Sequence, residues 1–159
     1  MKQQNDAVGS LAISQLLVKV FLGVLVGVDV AAYWLVEWFL SWTRYRLTAD
    51  LPWQALFLLT LYAASIPAYF ALYRLYRLLA NLDKGQVFVE QNVTCLAVLS
   101  RCCWVVAAIC LASALYYLPY LLVMVAAAFM ALILRIVQNV FRQACEMKDE
   151  LDQIGRAHV

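Results

Sequence analysis

The sequence predicts an all-α, polytopic membrane protein with four transmembrane helices. Three observations carry that prediction. Hydrophobic residues make up 66% of the 159 residues and the mean hydropathy is +0.80, well above the level of a soluble globular domain. Four apolar stretches, at about 20–42, 53–73, 96–117 and 119–141, each reach the roughly 20 residues that a helix needs to cross a hydrocarbon core. The basic residues are also unevenly placed. Lys2, Lys19, Arg74, Arg77, Lys84, Arg101, Arg135, Arg142, Lys148 and Arg156 flank the termini and the middle connection, and only Arg44 and Arg46 lie between the first two spans. The positive-inside rule then puts both termini and the middle connection in the cytoplasm.

Four spans leave no length for a separate soluble unit, so residues 1–159 form a single four-helix transmembrane domain. A formal net charge of +2 is too small to attract nucleic acid directly. The first span is too long for a signal peptide and lacks a small-residue cleavage site, so it is read as retained.

Residues 1–10 are polar and predict a loose tail, with the first helix starting near Leu11. Gly23 and Gly27 stand four apart in its apolar part, a spacing that lets two backbones approach closely. That face serves either packing inside the monomer or a homodimer. Asp29 falls near mid-span, where an unpaired carboxylate is costly. It is either a polar staple between helices or a proton or ion site, with Arg101 and Arg135 as candidate partners able to reach inward or to snorkel to the interface. Glu37 lies further out and is read as reachable by water, and Lys19 as snorkelling.

The second span carries Ser65-Ile66-Pro67, where the proline removes one ladder hydrogen bond, as a packing kink or a hinge. Leu72, Leu75, Leu79 and Leu82 then continue a helical stripe past the span, until Gly85 stops it. A short connection follows, with Asn92 or a residue near it as the N-cap candidate of the third helix. The last helix runs without a breaker from Pro119 to about Ile154, with Gly155 as its end. Its polar end keeps the 3–4 spacing in Val137, Val140, Ala144, Met147, Leu151 and Ile154. Residues 74–95 and 142–154 are expected to pack as a cytoplasmic hairpin, basic against acidic, with a homodimeric coiled coil through the last helix as the competing arrangement. Trp38, Trp42, Trp53, Tyr116, Tyr117 and Tyr120 are expected together at the outer interface.

Gly85-Gln86-Val87-Phe88 followed by Asn92 and Leu96, and Glu146-Met147-Lys148-Asp149-Glu150-Leu151-Asp152 at the end of the last helix, resemble the signature of an uncharacterised family of small four-helix bacterial integral membrane proteins. The chain departs from that pattern after Asp152. Members of the family are often encoded beside a helix-turn-helix regulator, so the resemblance implies a cytoplasmic protein partner. It carries over no catalytic residues.

Cys95, Cys102, Cys103 and Cys110 recur along the third span, but seven or eight residues of helix separate them by about 10–12 Å, too far to share one metal ion. They are read as small hydrophobes. His158, the single histidine, is in the tail. Gln138 and Asn139 are read as structural hydrogen-bonding groups. No nucleophile–base set, phosphate loop or paired carboxylate can be assembled, and no cofactor is expected. The sequence therefore points to a non-enzymatic accessory or regulatory membrane protein that binds a regulator or membrane protein through Phe88, Asn92, Glu146, Glu150 and Leu151. The alternative is a small transport or proton-coupled component centred on Asp29.

Overall fold

The computed structural model describes residues 1–43 and 52–157. Arg44 and Arg46, expected between the first two spans, and His158 lie outside the described residues. Those residues form five helices: α1 (Lys2–Val30), α2 (Ala32–Thr43), α3 (Trp53–Asp83), α4 (Glu90–Ser113) and α5 (Tyr120–Ala157). Four of them, α1, α3, α4 and α5, are long and apolar enough to cross a membrane.

The helices stand in an open row rather than a closed ring. Close backbone approaches run from α1 to α3, from α3 to α4 and from α4 to α5, and α2 leans on α3. Among the described residues α1 makes no such approach to α4 or α5. The position in the row decides burial: 39% of the apolar stretch of α4 is buried, against 6% for α1 and for α5. Lipid tails are as apolar as leucine, so close fit rather than water exclusion must hold neighbouring spans together. At the α4–α5 crossing Ala131 is fully buried, and Ser100 Oγ donates to its carbonyl at 3.0 Å. Two small side chains thus let the backbones meet. Nearby, Leu78 of α3 packs with Cys95, Leu96 and Leu99 of α4, and Leu134, Val137 and Phe141 of α5 close the cluster.

Three element boundaries differ from the sequence reading. Helix α1 begins at Lys2, not near Leu11, because a helix already nucleated by an apolar run extends through a polar segment that holds no proline. For the same reason α5 passes through Gly155 to Ala157; one glycine costs only about 1 kcal/mol in a helix interior. The first span, expected to be continuous, breaks at Ala31 into α1 and α2.

The other ends follow local chemistry. After α3, Gly85 takes φ +77°. Its N–H donates to Leu82 O at 3.1 Å and the Gln86 N–H donates to Asn81 O at 3.0 Å, the pair of bonds of a Schellman cap. The N-cap of α4 is Val89, in extended conformation. Asn92 sits three residues into the helix instead of capping it. A Cβ at Gly23 or Gly27 would meet nothing within 4 Å, so this small-residue face is not used for packing within the monomer.

Candidate functional site

Asp29 is held by α3. Ser65 Oγ donates to its Oδ1 at 2.7 Å and Tyr69 Oη to its Oδ2 at 2.8 Å. Tyr62 Oη donates to the Asp29 main-chain carbonyl at 3.1 Å. These three residues recur at 3–4 spacing and therefore share one face of α3. The main-chain bond has a physical reason. Broken helices at membrane depth are tolerated where neighbouring groups serve the freed backbone, and Tyr62 does so at Asp29, two residues before the break at Ala31. Ser65 has one hydrogen and two acceptors in reach, Asp29 Oδ1 and its own helix's Leu61 O at 2.9 Å. Its donation to the carboxylate thus competes with a back-bond along α3.

Arg101 and Arg135, expected as partners of Asp29, are elsewhere. They line a groove between α4 and α5 together with Arg142, Gln138, Asn139 and Trp104. The reason is the row: α1 packs on α3, while α5 packs on the other side of α4. The sequence reading missed Tyr62, Ser65 and Tyr69. Their signal was present as three hydroxyls on one stripe of an apolar span, at the depth of Asp29.

The connection after α3 is folded, not open. Asn92 is fully buried. Its Nδ2 donates to Gln86 O and Val87 O, both at 2.8 Å, and its Oδ1 accepts from Asn81 Nδ2 at 3.0 Å. As a docking residue Asn92 is corrected: it is enclosed and fully engaged in shaping the connection. Phe88 is half exposed and its ring lies 6.2 Å from that of Phe141 on α5. The motif residues Gly85, Phe88 and Asn92 thus turn the chain, tie it to α5 and brace its carbonyls.

Phe141 marks the level at which the α3–α4 connection meets α5. Residues 146–157 of α5 are exposed throughout, including Glu146, Glu150 and Leu151. Leu75, Leu78 and Leu82 of α3 lie in the cluster with α4 and with Leu134, Val137 and Phe141 of α5, so this part of α3 packs at the level of 134–141 rather than of 142–154. The seam of α3 is already satisfied by nearer partners, and α5 runs past it.

At the opposite end the expected aromatic cluster is present. The rings of Tyr116, Tyr117 and Tyr120 lie 5.3–5.9 Å from Phe57. Thr60 hydrogen-bonds Ser113 at 2.9 Å and also Tyr116, joining α3 to the end of α4. Trp38 and Trp42 stack on each other on the exposed face of α2. Phe57, Phe39 and Tyr120 also line an apolar cavity of about 490 Å³ between α2, α3 and α5. All five cysteines are free; Cys95 and Cys110 are buried, and Cys95 belongs to the apolar cluster around Leu78. Among the described residues no three His, Cys, Asp or Glu side chains come together as a metal-binding group.

No curated protein and no solved structure matches this chain. A family model does, over residues 38–154. That stretch takes in α3, α4, the motif from Gly85 to Asn92 and all but the last turn of α5. The chain belongs to the family described as "Protein of unknown function (DUF2975)".

Proposed function

We propose that this chain is a non-enzymatic integral membrane protein of the bacterial cytoplasmic membrane, with both termini cytoplasmic and an accessory or regulatory role. The far end of α5 is its docking helix, and the occupant is a basic amphipathic helix of a soluble regulator or another membrane protein. One observation carries this reading: α5 continues for 16 residues beyond Phe141, the last 12 of them exposed throughout, yet keeps an apolar stripe. Met147, Leu151 and Ile154 on that stripe are 62%, 68% and 56% exposed. Beyond the membrane an apolar stripe in water is a partner-binding feature.

Charge selects the partner. Residues 146–157 hold Glu146, Asp149, Glu150 and Asp152 against Lys148 and Arg156. With Ala144, Met147, Leu151 and Ile154 as heptad core, a parallel second copy would set Gln143 opposite Lys148 and Glu150 opposite Gly155. No interhelical ion pair results, so charge does not favour self-association. The test is a photo-crosslinking residue at Leu151 in living cells, with Asp149 as the control position. A single partner protein captured from Leu151 but not from Asp149, and lost in Met147→Asp, supports the reading. Capture of a second copy, or of nothing, overturns it. A homodimer through the open Gly23 and Gly27 face remains compatible, because that face is on a different helix.

A second reading is favoured by the broken first span: a small transport or proton-coupled component centred on Asp29. Discontinuous helices at mid-membrane build ion and substrate sites in transporters. Ser65 can turn its hydrogen to Leu61 O, which lets a protonated Asp29 donate in turn. In proteoliposomes, Asp29→Asn should then abolish ion- or proton-linked flux while the protein still accumulates. A silent Asp29→Asn leaves the carboxylate as a helix staple.

A further inference from the structure

The groove between α4 and α5 has no place in either reading. Arg135, Gln138, Asn139 and Arg142 fall at 3–4 spacing on one stripe of α5, beside the stripe of Leu134, Val137 and Phe141 that packs toward α3 and α4. Across the groove α4 contributes Arg101 and Trp104. Three guanidinium groups therefore share one depression of about 300 Å³, and no carboxylate lines it. None of the three has a hydrogen bond or an ion pair among the described residues.

Such a cluster is unfavourable by itself. Like charges repel, and cations at the edge of the apolar run are costly unless paired. Arg101 is the one charged residue of α4 after Glu90, and Arg135 interrupts an apolar run that starts at Tyr120. Guanidinium forks and side-chain amides make the groove rich in donors and poor in acceptors. Arg135 lies about 10 Å along the axis from Arg142, so the groove spans the level where the apolar run gives way to polar sequence. In a bilayer that is the depth of the phosphates, which long Arg side chains reach by snorkelling. Trp104, 43% exposed, flanks the groove, a position suited to the glycerol and upper acyl region.

We infer that this groove binds the phosphate of an anionic phospholipid, held by Arg101, Arg135 and Arg142 with Gln138 and Asn139 as further donors. Basic pockets between spanning helices are suited to such headgroups, and a guanidinium fork matches a phosphate bidentately. The inference is independent of the α5 docking helix, whose stripe begins beyond the groove.

The test is native mass spectrometry of the full chain in detergent, titrated with phosphatidylglycerol or cardiolipin, with phosphatidylcholine, and with inorganic phosphate. The wild-type chain should retain the anionic lipids and favour them over phosphatidylcholine by about tenfold or more. Arg135→Gln with Arg142→Gln should lose that preference, and Lys148→Gln with Arg156→Gln, which removes the same two charges outside the groove, should keep it. Gln138→Glu keeps every arginine but places an anion among them, and should weaken retention even if the double variant folds poorly. Equal retention of phosphatidylcholine, an unchanged preference in both groove variants, or displacement of the lipid by inorganic phosphate at equal concentration would overturn the assignment. The last outcome would mark a site for the free ion. Copurification of a second protein whose carboxylate occupies the groove would overturn it as well.

Discussion

Two side chains set the local rules of this molecule, and they behave differently on substitution. Asp29 accepts from two hydroxyls of α3, at 2.7 and 2.8 Å. Asp29→Leu leaves Tyr69 without its acceptor and turns the Ser65 hydroxyl back to Leu61 O, and should lower unfolding stability in micelles by about 1–3 kcal/mol. Asp29→Asn keeps one oxygen acceptor and supplies N–H donors that the hydroxyls can accept, so its cost should be well below that of Leu. A cycle with Tyr69→Phe separates the pair: the loss from Asp29→Leu and Tyr69→Phe together should be clearly less than the sum. Additive losses would mean that the 2.8 Å bond contributes nothing. Asn92 presents the opposite polarity. Its Nδ2 meets two carbonyl oxygens, so Asn92→Asp points an acceptor at two acceptors, while Asn92→Ala only leaves them unserved. Denaturant titration should therefore rank Asp as more damaging than Ala, the reverse of what size similarity suggests.

At the scale of elements, the turn after α3 rests on backbone conformation and the helix row rests on fit. Gly85→Ala should cost about 1–2 kcal/mol, the penalty of a side chain in the left-handed region, since there is open space for the added methyl. Leu78→Ala, in the cluster with Cys95, Leu96 and Leu99, should cost about 2–5 kcal/mol through the void it leaves. Steric-trap or denaturant unfolding measures both, and a Gly85→Ala effect equal to that of Leu78→Ala would contradict the split. The same contrast explains what was legible beforehand. Span positions, the Gly85 stop and the aromatic end were readable because hydropathy, glycine and ring chemistry act locally. The helix neighbours were not, because any apolar stripe can face lipid or another helix. Asp29 was therefore assigned to arginines that lie beyond α3, and the α3 leucines to a part of α5 beyond the level at which they pack. The break at Ala31 was hidden for a related reason: no proline or glycine stands at that residue, and the hydroxyl that serves the nearby Asp29 carbonyl, that of Tyr62, comes from a different helix.

For the whole molecule the row order implies unequal cohesion. Helices α3, α4 and α5 share the cluster around Leu78 and Leu99 and the Ser100–Ala131 crossing, and they lie within the stretch matched by the family model. Helix α1 precedes that stretch. It contributes one buried side chain, Val18, and its polar attachment to α3 is concentrated at Asp29. In lipid there is no solvent force to hold an apolar helix to its neighbour, so removing the polar attachment should free α1 without loosening the rest. The check uses two engineered cysteine pairs in a background lacking the five native cysteines. One pair, at Val18 and Leu72, reports on the α1–α3 contact beside a shared cavity. The other, at Ala97 and Asn139, reports on the α4–α5 groove. Asp29→Leu with Tyr69→Phe should reduce disulfide formation at the first pair several-fold and leave the second unchanged. Parallel loss at both would show that the four long helices respond as one cooperative unit, and that the attachment at Asp29 stabilises the entire row rather than its first member.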